Sequence, residues 1–490
     1  MIKRHHLKAM ILALATSGTL CSFAMAEDTP QTNQTVTEPP ALVPASAQHS
    51  GDTAEQSVGD DHQTVIVANA SDQLPTNSFV ALASNCDPCD GVQVNLGGCD
   101  DFCKPGGCSA SCGFGCGCAK AGKPVVTVYG FGQVDYIQDF NRVAPAWEST
   151  LRPSRVPTQA GQYGSDGSAL LSVRQSRLGA SAVVPTTGGD LNAKVEFDFF
   201  GVGADEGQTT VRLRHAFGSY NNWLGGQTHS LFMDINVFPN VIDYWGPAGM
   251  VFLRTPQIRW TPIQGDHSLA FSLETPDSGI DTGVFSREIQ DLGADVQSVE
   301  RFPDFGWRYR YTQEGAGHFQ VAGLIRPLGY DTVADPPPAG NRPKENLVGW
   351  GVNLSGNLYT VGKNRLIGQY VVGHGIAGYM NDGGVDIAPR NGVVPADPAP
   401  QPLQGIVLYY DHYWNKCYSS SIGWSMTEVQ TFRGQADDAF RRGRYVSANL
   451  LYSPIPNFLT GIEYLWGDRK DHDGAIGEDN RMQISFKYSF

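Results

Sequence analysis

Arginine pairs spaced two residues apart are the residues of this 490-residue chain best suited to chemistry. Residues i and i+2 of an extended strand lie on one face, so Arg212 and Arg214 would present two guanidinium groups side by side. Arg308 and Arg310 have the same spacing. Guanidinium groups bind carboxylates and phosphates through several directed hydrogen bonds, so the pattern predicts a surface that attracts small anions. Its candidate residues are Arg177, Arg212, Arg214, Arg254, Arg259, Arg308 and Arg310.

Carboxylates in the same segments limit how much of this charge is available. An antiparallel pairing of the segments before and after residue 205 places Asp198 beside Arg212. It also places Glu196 beside Arg214, so a structural role for these two arginines competes with a role in anion binding. Arg177 has no evident partner in this arrangement. The net charge of −14 is a poor guide here, because many acidic residues lie in the N-terminal part and in the long loops.

Catalytic and metal motifs are absent from the sequence. It contains no nucleophile elbow, no HExxH helix and no phosphate-binding loop, and its eleven histidines are scattered. The run from Asp471 to Gly474 is similar to part of a calcium loop, but Arg469 occupies the first ligand position and Asn480 the last, which favours a solvated loop. We expect no enzyme activity, no metal or cofactor, and no nucleic-acid partner.

The elements that position the arginines are predicted to be strands. The last nine residues, 482–490, alternate strictly between apolar and polar side chains and end on Phe490. Similar alternation recurs earlier, whereas no later run approaches the roughly twenty apolar residues of a membrane helix. We predict sixteen strands, at 125–138, 170–184, 190–200, 208–220, 222–230, 251–261, 267–274, 305–313, 317–326, 347–360, 364–373, 404–413, 417–426, 444–453, 459–467 and 479–490.

The connections between these strands alternate between short turns, such as 314–316, and connections that are mostly much longer. This alternation is typical of an antiparallel meander whose two rims face different compartments. We therefore predict an all-β fold, in which residues 121–490 form a sixteen-stranded antiparallel transmembrane β-barrel with an aqueous lumen. The last strand would close the barrel by pairing with the strand that starts near Val125.

The residues before the barrel carry the features of an exported protein. Residues 1–26 combine a basic start, a short apolar run and a small-residue cleavage site, as in a cleaved signal peptide. Residues 27–85 are polar and are predicted to be a low-complexity, disordered periplasmic segment, with a small polar domain as the alternative. An export signal in front of a barrel predicts a location in the outer membrane of a Gram-negative-type cell, in contact with its lipid.

Eight cysteines fall in residues 86–120, among glycines and short turns. An even number of cysteines in an exported segment with few apolar residues is typical of a disulfide-bonded knot. Metal binding is the alternative, since two of them have zinc-like spacing, but no matching second pair follows. Cys417 is left either as a free thiol or as a partner for this segment. The disulfide candidates are Cys86, Cys89, Cys99, Cys103, Cys108, Cys112, Cys116 and Cys118.

Residues 231–250, after the fifth predicted strand, have the composition of a loop that folds into the barrel. Aromatic and branched apolar side chains provide material for burial, and two prolines and a glycine provide fixed turns. The alternative is an external loop that caps the barrel or contacts a neighbouring subunit. In the inward arrangement, the constriction-loop residues are Asp234, Asp243 and Tyr244.

Several ordered motifs resemble those of the DcaP-like outer-membrane porins. The resemblance covers about residues 125–490 and implies a homotrimeric, sixteen-stranded channel that favours small anions, notably dicarboxylates. The segment before the barrel departs from the family, because a cysteine-rich stretch stands where a family member has a helical coiled coil. The matching motifs lie at 174–179, 194–199, 212–216, 223–228, 246–252 and 349–356.

Together these features favour an outer-membrane diffusion channel for small hydrophilic solutes that prefers anions, since basic residues at a constriction lower the barrier for anions. One alternative is a structural outer-membrane barrel that is cross-linked through its cysteine-rich segment. A barrel enzyme is a third hypothesis. It would need a Ser/His/acid set or paired carboxylates at one rim, and the sequence offers neither.

Overall fold

The computed structural model describes residues 123–201, 210–275, 277–289, 295–333 and 343–490. The predicted signal peptide, low-complexity segment and cysteine cluster lie outside the described residues. The strands are β1 (Val125–Asp139), β2 (Ser168–Ser172), β3 (Arg177–Thr186), β4 (Gly189–Asp198), β5 (Arg212–Tyr220), β6 (Trp223–His229), β7 (Arg254–Ile263), β8 (His267–Glu274), β9 (Asp295–Ser298), β10 (Asp304–Gln313), β11 (Gly317–Val333), β12 (Glu345–Tyr359), β13 (Arg365–His374), β14 (Ile387–Pro389), β15 (Pro398–Pro400), β16 (Pro402–Tyr413), β17 (Tyr418–Val429), β18 (Phe440–Tyr452), β19 (Phe458–Asp471) and β20 (Ile476–Ser489).

Helical structure in the described residues is confined to short segments. One α-helix, α1, spans Gly283–Glu288, and single 3-10 turns lie at Pro145–Trp147, Pro153–Arg155, Ile235–Val237 and Ala377–Tyr379. None of the helices in this part of the chain is long and apolar enough to cross a membrane.

Eighteen of the strands form one sheet that closes on itself. β1 pairs with β20 in antiparallel register, from Phe131 opposite Ser489 to Asp139 opposite Arg481, which confirms the predicted closure. β3 and β2 pair with successive parts of β1, and β10 and β9 pair with successive parts of β11. β2 and β3 therefore form one barrel strand with an interruption, and so do β9 and β10. The eighteen segments therefore make the predicted sixteen-stranded antiparallel barrel, although the strand predicted at 170–184 is broken at 173–176.

Side chains alternate between the lumen and the outside along the strands. On β4, Glu196 and Asp198 are buried inside the barrel, whereas Leu191 and Val195 are exposed outside. Aromatic rings gather on the outside near the short-turn rim, where Trp223 and Trp260 of adjacent strands stack 6.0 Å apart. Aromatic bands of this kind are typical of strands that cross a bilayer.

The short connections are tight turns, as predicted. The turn between β5 and β6 is an example, in which Asn221 adopts φ 52°, a left-handed conformation that asparagine tolerates better than most residues. The long loops at the opposite rim hold elements that the sequence pattern did not predict, namely α1, β9 and the separate hairpin of β14 and β15. These elements are three to six residues long, too short for a periodic pattern to be detected.

Three long loops fold into the lumen and pack together there. We call them the plug: residues 140–167, 230–253 and 375–401. Apolar plug side chains such as Leu151 and Met250 share one buried core with wall residues such as Val371. Lumen-facing side chains of β12, β17 and β18 are fully covered, as at Asn353, Ser425 and Ser447. The plug therefore fills the side of the barrel formed by β11 to β20.

A side chain at Gly226 is predicted to strain the barrel wall. This residue lies on β6 with φ 124°, and a Cβ there would come within 2.2 Å of Ala216 O. A Cβ on the adjacent Gly225 would meet nothing within 4 Å. We expect Gly226→Ala to cost about 1–3 kcal/mol of stability, the usual cost of a strained backbone. Gly225→Ala is the matched control. Thermal unfolding followed by circular dichroism should show a lower midpoint for Gly226→Ala alone, and equal midpoints would contradict this backbone geometry.

Candidate functional site

Basic side chains line the part of the lumen that the plug leaves uncovered. The strands β3, β4, β5, β7 and β10 bring all seven predicted arginines to this side of the barrel. Lys194 joins them; its lumen-facing position on β4 follows from the alternation, but it was not among the predicted site residues. We call this set the basic wall: Arg177, Lys194, Arg212, Arg214, Arg254, Arg259, Arg308 and Arg310.

Two buried carboxylates organise one half of the basic wall. Arg214 is fully buried and donates to Glu196 Oε1 at 2.7 Å and to Asp198 Oδ2 at 2.8 Å. Arg212 donates to Asp198 Oδ2 at 3.1 Å, so both predicted cross-strand pairs are confirmed as contacts. Since Arg214 is held by two carboxylates and has no exposed surface, it fastens the wall rather than offering charge to the lumen.

The expectation that Arg177 has no evident partner is wrong. Its Nη1 lies 3.4 Å from Glu196 Oε1. The cause is the pairing of β3 with β4, which puts Gly179 opposite Glu196 and leaves Arg177 on the diagonal. Lys194 Nζ also lies 3.3 Å from the other oxygen of Glu196. The pairing of β4 with β5 alone does not predict the contact of Arg177, whereas Lys194 and Glu196 are neighbours on the same face of β4.

In the other half of the basic wall, Arg259 and Arg308 have neutral hydrogen-bond partners. Arg259 donates to Gln257 Oε1 at 2.7 Å and to the carbonyl of His229 at 2.6 Å. Arg308 donates to Ser268 Oγ at 3.4 Å. Within the described ranges, neither arginine has a carboxylate oxygen within 4.0 Å, and both are partly exposed. These two guanidinium groups therefore keep their charge available to a solute.

Asp234, a predicted constriction residue, is buried and fastens the inward loop to the wall. It accepts hydrogen bonds from Arg310 Nη1 at 3.1 Å and Ser355 Oγ at 2.8 Å, and it lies 2.6 Å from His318 Nε2. Burial alone raises the pKa of a carboxyl, but His318 and Arg310 lower the pKa of this loop residue well below its usual value. Asp234 is therefore a charged anchor.

Asp243 and Tyr244 are anchors as well. Asp243 is fully buried and accepts hydrogen bonds from Thr150 Oγ1 at 2.8 Å and Tyr445 OH at 3.0 Å. Tyr244 donates its hydroxyl hydrogen to Asp198 Oδ2 at 3.0 Å and so joins the loop to the basic wall. The predicted inward loop is confirmed, but its two acidic residues hold the loop in place and do not line an opening.

The backbone of the inward loop is held by side chains from successive strands. These anchors were not predicted from the sequence, although each is a polar residue at a lumen-facing strand position. They cover the wall from β12 to β20 and leave the basic wall open. Four of these side chains donate hydrogen bonds to loop carbonyl oxygens: Asn353 Nδ2 to Phe232 O at 2.8 Å, Arg365 Nη2 to Phe238 O at 2.9 Å, Asn449 Nδ2 to Asn240 O at 2.7 Å, and Gln483 Nε2 to Ile242 O at 3.1 Å. The fifth, Glu463, accepts a hydrogen bond from the backbone nitrogen of Ile242 at 3.0 Å.

Comparison with known protein families assigns the chain to a family of outer membrane proteins, in agreement with its closed barrel. The model of the DcaP outer membrane protein family matches residues 118–382, more than half of the chain. The chain belongs to the DcaP outer membrane protein family. This DcaP-family barrel is therefore located in the outer membrane.

A solved structure shows the same fold at low sequence identity. The crystal structure of the outer membrane channel DcaP of Acinetobacter baumannii is 21% identical, with a TM-score of 0.62, and the match covers 75% of this chain and 97% of that one. An anion-selective porin from Comamonas acidovorans matches with 11% identity and a TM-score of 0.47, over 75% of this chain and 100% of that one. A loop L8 deletion mutant of OmpT from Vibrio cholerae matches with 12% identity and a TM-score of 0.45, over 75% and 99%. No curated protein sequence matches the chain.

Asp234→Ala should loosen the inward loop, because it leaves Arg310 and His318 without their shared carboxylate. Breaking a buried charge pair on one side typically costs about 3–5 kcal/mol. We expect faster proteolysis within residues 230–253 and a lower unfolding midpoint. Asp266→Ala, at an exposed turn position, is the control and should behave as wild type. Equal protease resistance of the two variants would exclude an anchoring role for Asp234.

Proposed function

We propose that this DcaP-family barrel is a passive channel for small hydrophilic solutes that prefers anions, with small dicarboxylates as the favoured class. The observation that carries this proposal is the partial exposure of Arg259 and Arg308 without a carboxylate partner within the described ranges. Positive charge beside a narrow, low-dielectric passage raises the local concentration of anions and lowers their barrier.

The balance of charge along the basic wall supports the same preference. Eight basic groups face four carboxylates, Glu196, Asp198, Asp234 and Glu274, which leaves an excess of four positive charges when all are ionised. The chain as a whole is acidic, but a solute in the lumen is closest to these groups. Local charge therefore outweighs net charge in selecting solutes.

The distribution of the positive charges favours a solute with two carboxylates. Arg212 lies with the network around Asp198, whereas Arg259 and Arg308 lie further along the wall on β7 and β10. A dicarboxylate can contact both groups in turn, and each contact is a charge-assisted hydrogen bond. A cation of the same size meets repulsion at both places.

Three further features remain proposals. We propose a homotrimer, as the family resemblance implies, and a cleaved signal peptide in residues 1–26. The disulfide knot in residues 86–120 is also proposed, and Cys417 forms no disulfide among the described residues. Cross-linking of barrels through the cysteine-rich segment is compatible with a channel, because that segment precedes the barrel.

Replacing Arg259 and Arg308 by glutamine should reduce anion preference. A unit charge at about 15 Å, acting through an effective dielectric constant of about 20, changes the energy of a monovalent ion by about 1 kcal/mol, or roughly fivefold. Two charges are removed, and each acts in opposite directions on anions and cations, so we expect the anion-to-cation permeability ratio to fall at least about fivefold. The ratio is measured as the reversal potential of the reconstituted protein in a planar bilayer under a KCl gradient.

Arg390→Gln is the matched control. Arg390 is exposed in the loop before β15, and its Nη1 lies 4.0 Å from Asp397 Oδ2. The substitution removes the same kind of charge from an exposed residue that is not part of the basic wall and should leave the ratio unchanged. A folded wild-type barrel without conductance would refute the channel. A cation-selective wild type would refute the anion preference alone.

A further inference from the structure

A second group of basic residues lies on the lipid-facing side of the barrel. We call Arg442, Arg444 and Lys470 the outer basic group. Tyr445 points into the lumen, where its hydroxyl contacts the plug residue Asp243. Because neighbours in a strand point to opposite faces, Arg444 points to the outside. Its guanidinium lies 5.3 Å from the centre of the ring of Trp466, on the outer face of β19.

The outer basic group lies at the edge of the apolar band. Further along β18 from Arg444 the outward positions are apolar and include the exposed Leu450. On β19, Ile462 and Tyr464 are exposed in the same band. The charged ends of both strands lie at the rim that carries the long loops, which faces outward in outer-membrane barrels. The group therefore lies where the hydrocarbon of the outer leaflet gives way to its headgroups.

Among the described residues, one carboxylate forms ion pairs with this group. Asp468 is fully buried and accepts hydrogen bonds from Arg442 Nη2 at 3.3 Å and Arg444 Nε at 3.0 Å. Arg442 lies directly opposite Lys470 across the two strands. Like charges in this position destabilise a sheet. Lys470 has no carboxylate oxygen within 4.0 Å in the described part of the chain, so a bound anion would relieve the repulsion.

Two further carboxylates border the group on the neighbouring strands. Glu428 lies opposite Arg442 on β17 and accepts a hydrogen bond from Gln404 Nε2 at 2.9 Å, on the side away from β19. Glu478 is exposed on β20, opposite Asp468. The three cations thus lie between Glu428 on one side and Glu478 on the other. The side chains of Arg442 and Arg444 are 23% and 36% exposed.

We propose that the outer basic group binds the phosphate of a phosphorylated glycolipid in the outer leaflet of the membrane. Two guanidinium groups already oriented by Asp468 offer directed donors to a phosphate, and Lys470 adds a third charge. The apolar band directly below provides contact for the acyl chains of the same molecule. A free phosphate would lack this second contact, which is why the lipid is the favoured occupant.

The test is lipid binding to the whole purified protein in detergent, measured by native mass spectrometry. The probes are bis-phosphorylated lipid A, the same glycolipid without phosphates, and inorganic phosphate. We expect wild type to bind the phosphorylated form at least tenfold more tightly than the phosphate-free form. Inorganic phosphate at millimolar concentration should not displace it. Equal binding of the two glycolipids, or full displacement by inorganic phosphate, would overturn the proposal.

Two variants separate binding from folding. Arg442→Gln, Arg444→Gln and Asp468→Asn combined remove the cations without leaving a buried carboxylate unpaired. Lys470→Gln breaks no ion pair in the described residues. We expect at least tenfold weaker binding of the phosphorylated form in the triple variant and about threefold in Lys470→Gln, with unfolding midpoints near wild type.

Arg390→Gln combined with Arg433→Gln removes two exposed loop cations and is the matched control. It should bind the phosphorylated glycolipid as wild type does. If this control loses as much affinity as the triple variant, binding depends on overall charge and the proposed site is wrong. If Lys470→Gln, which should fold normally, binds as wild type does, Lys470 is not part of the site and the three-residue proposal is wrong. Conductance does not enter these measurements, so their outcome is independent of the channel proposal.

Discussion

The organisation of the lumen depends on the need to satisfy the buried backbone of the inward loop. Polar backbone groups cannot be buried without hydrogen-bond partners at acceptable cost. The loop therefore follows the wall positions that offer donors and acceptors, from Asn353 on β12 to Gln483 on β20. Buried carboxylates complete the fastening, with Asp234 at one end and Glu463 near the other. The course of the loop decides which part of the wall stays open, and that part carries the arginines.

Within the basic wall, folding and solute contact use different arginines. Arg214 is fully buried between two carboxylates, where removal of either partner would leave a charge that the interior cannot solvate. Arg259 and Arg308 have neutral hydrogen-bond partners and partial exposure, and neither forms a direct ion pair within the described residues. A row of arginines on lumen-facing positions is therefore not a row of equivalent binding groups. Their effect on a solute depends on which of them the neighbouring strands neutralise.

The fold could be predicted from the sequence because its main determinant is local. Alternation with a period of two marks each strand, and short and long connections fix the order of the strands. The pairing of Arg212 with Asp198 could be predicted for the same reason, since the two strands are consecutive. The contact of Arg177 with Glu196 was missed although β3 and β4 are also consecutive, because it is diagonal: the residue directly opposite Arg177 is Asp198. The anchors of the inward loop were also beyond reach, as they join residues more than a hundred positions apart.

A wall one residue thick gives each strand two independent surfaces, and β18 shows the consequence. Tyr445 faces the plug, whereas Arg444 beside it points to the outside of the barrel and contacts Trp466. The period that assigns them to opposite faces also means that a change of register by one residue would exchange them, placing a charge against the apolar plug and a tyrosine among headgroups. The lumenal anchor at Asp243 and the outer ion pair at Asp468 therefore select the same register from opposite sides. Hydrogen bonds to the plug and charge at the membrane boundary thus reinforce each other in fixing how β18 and β19 pair.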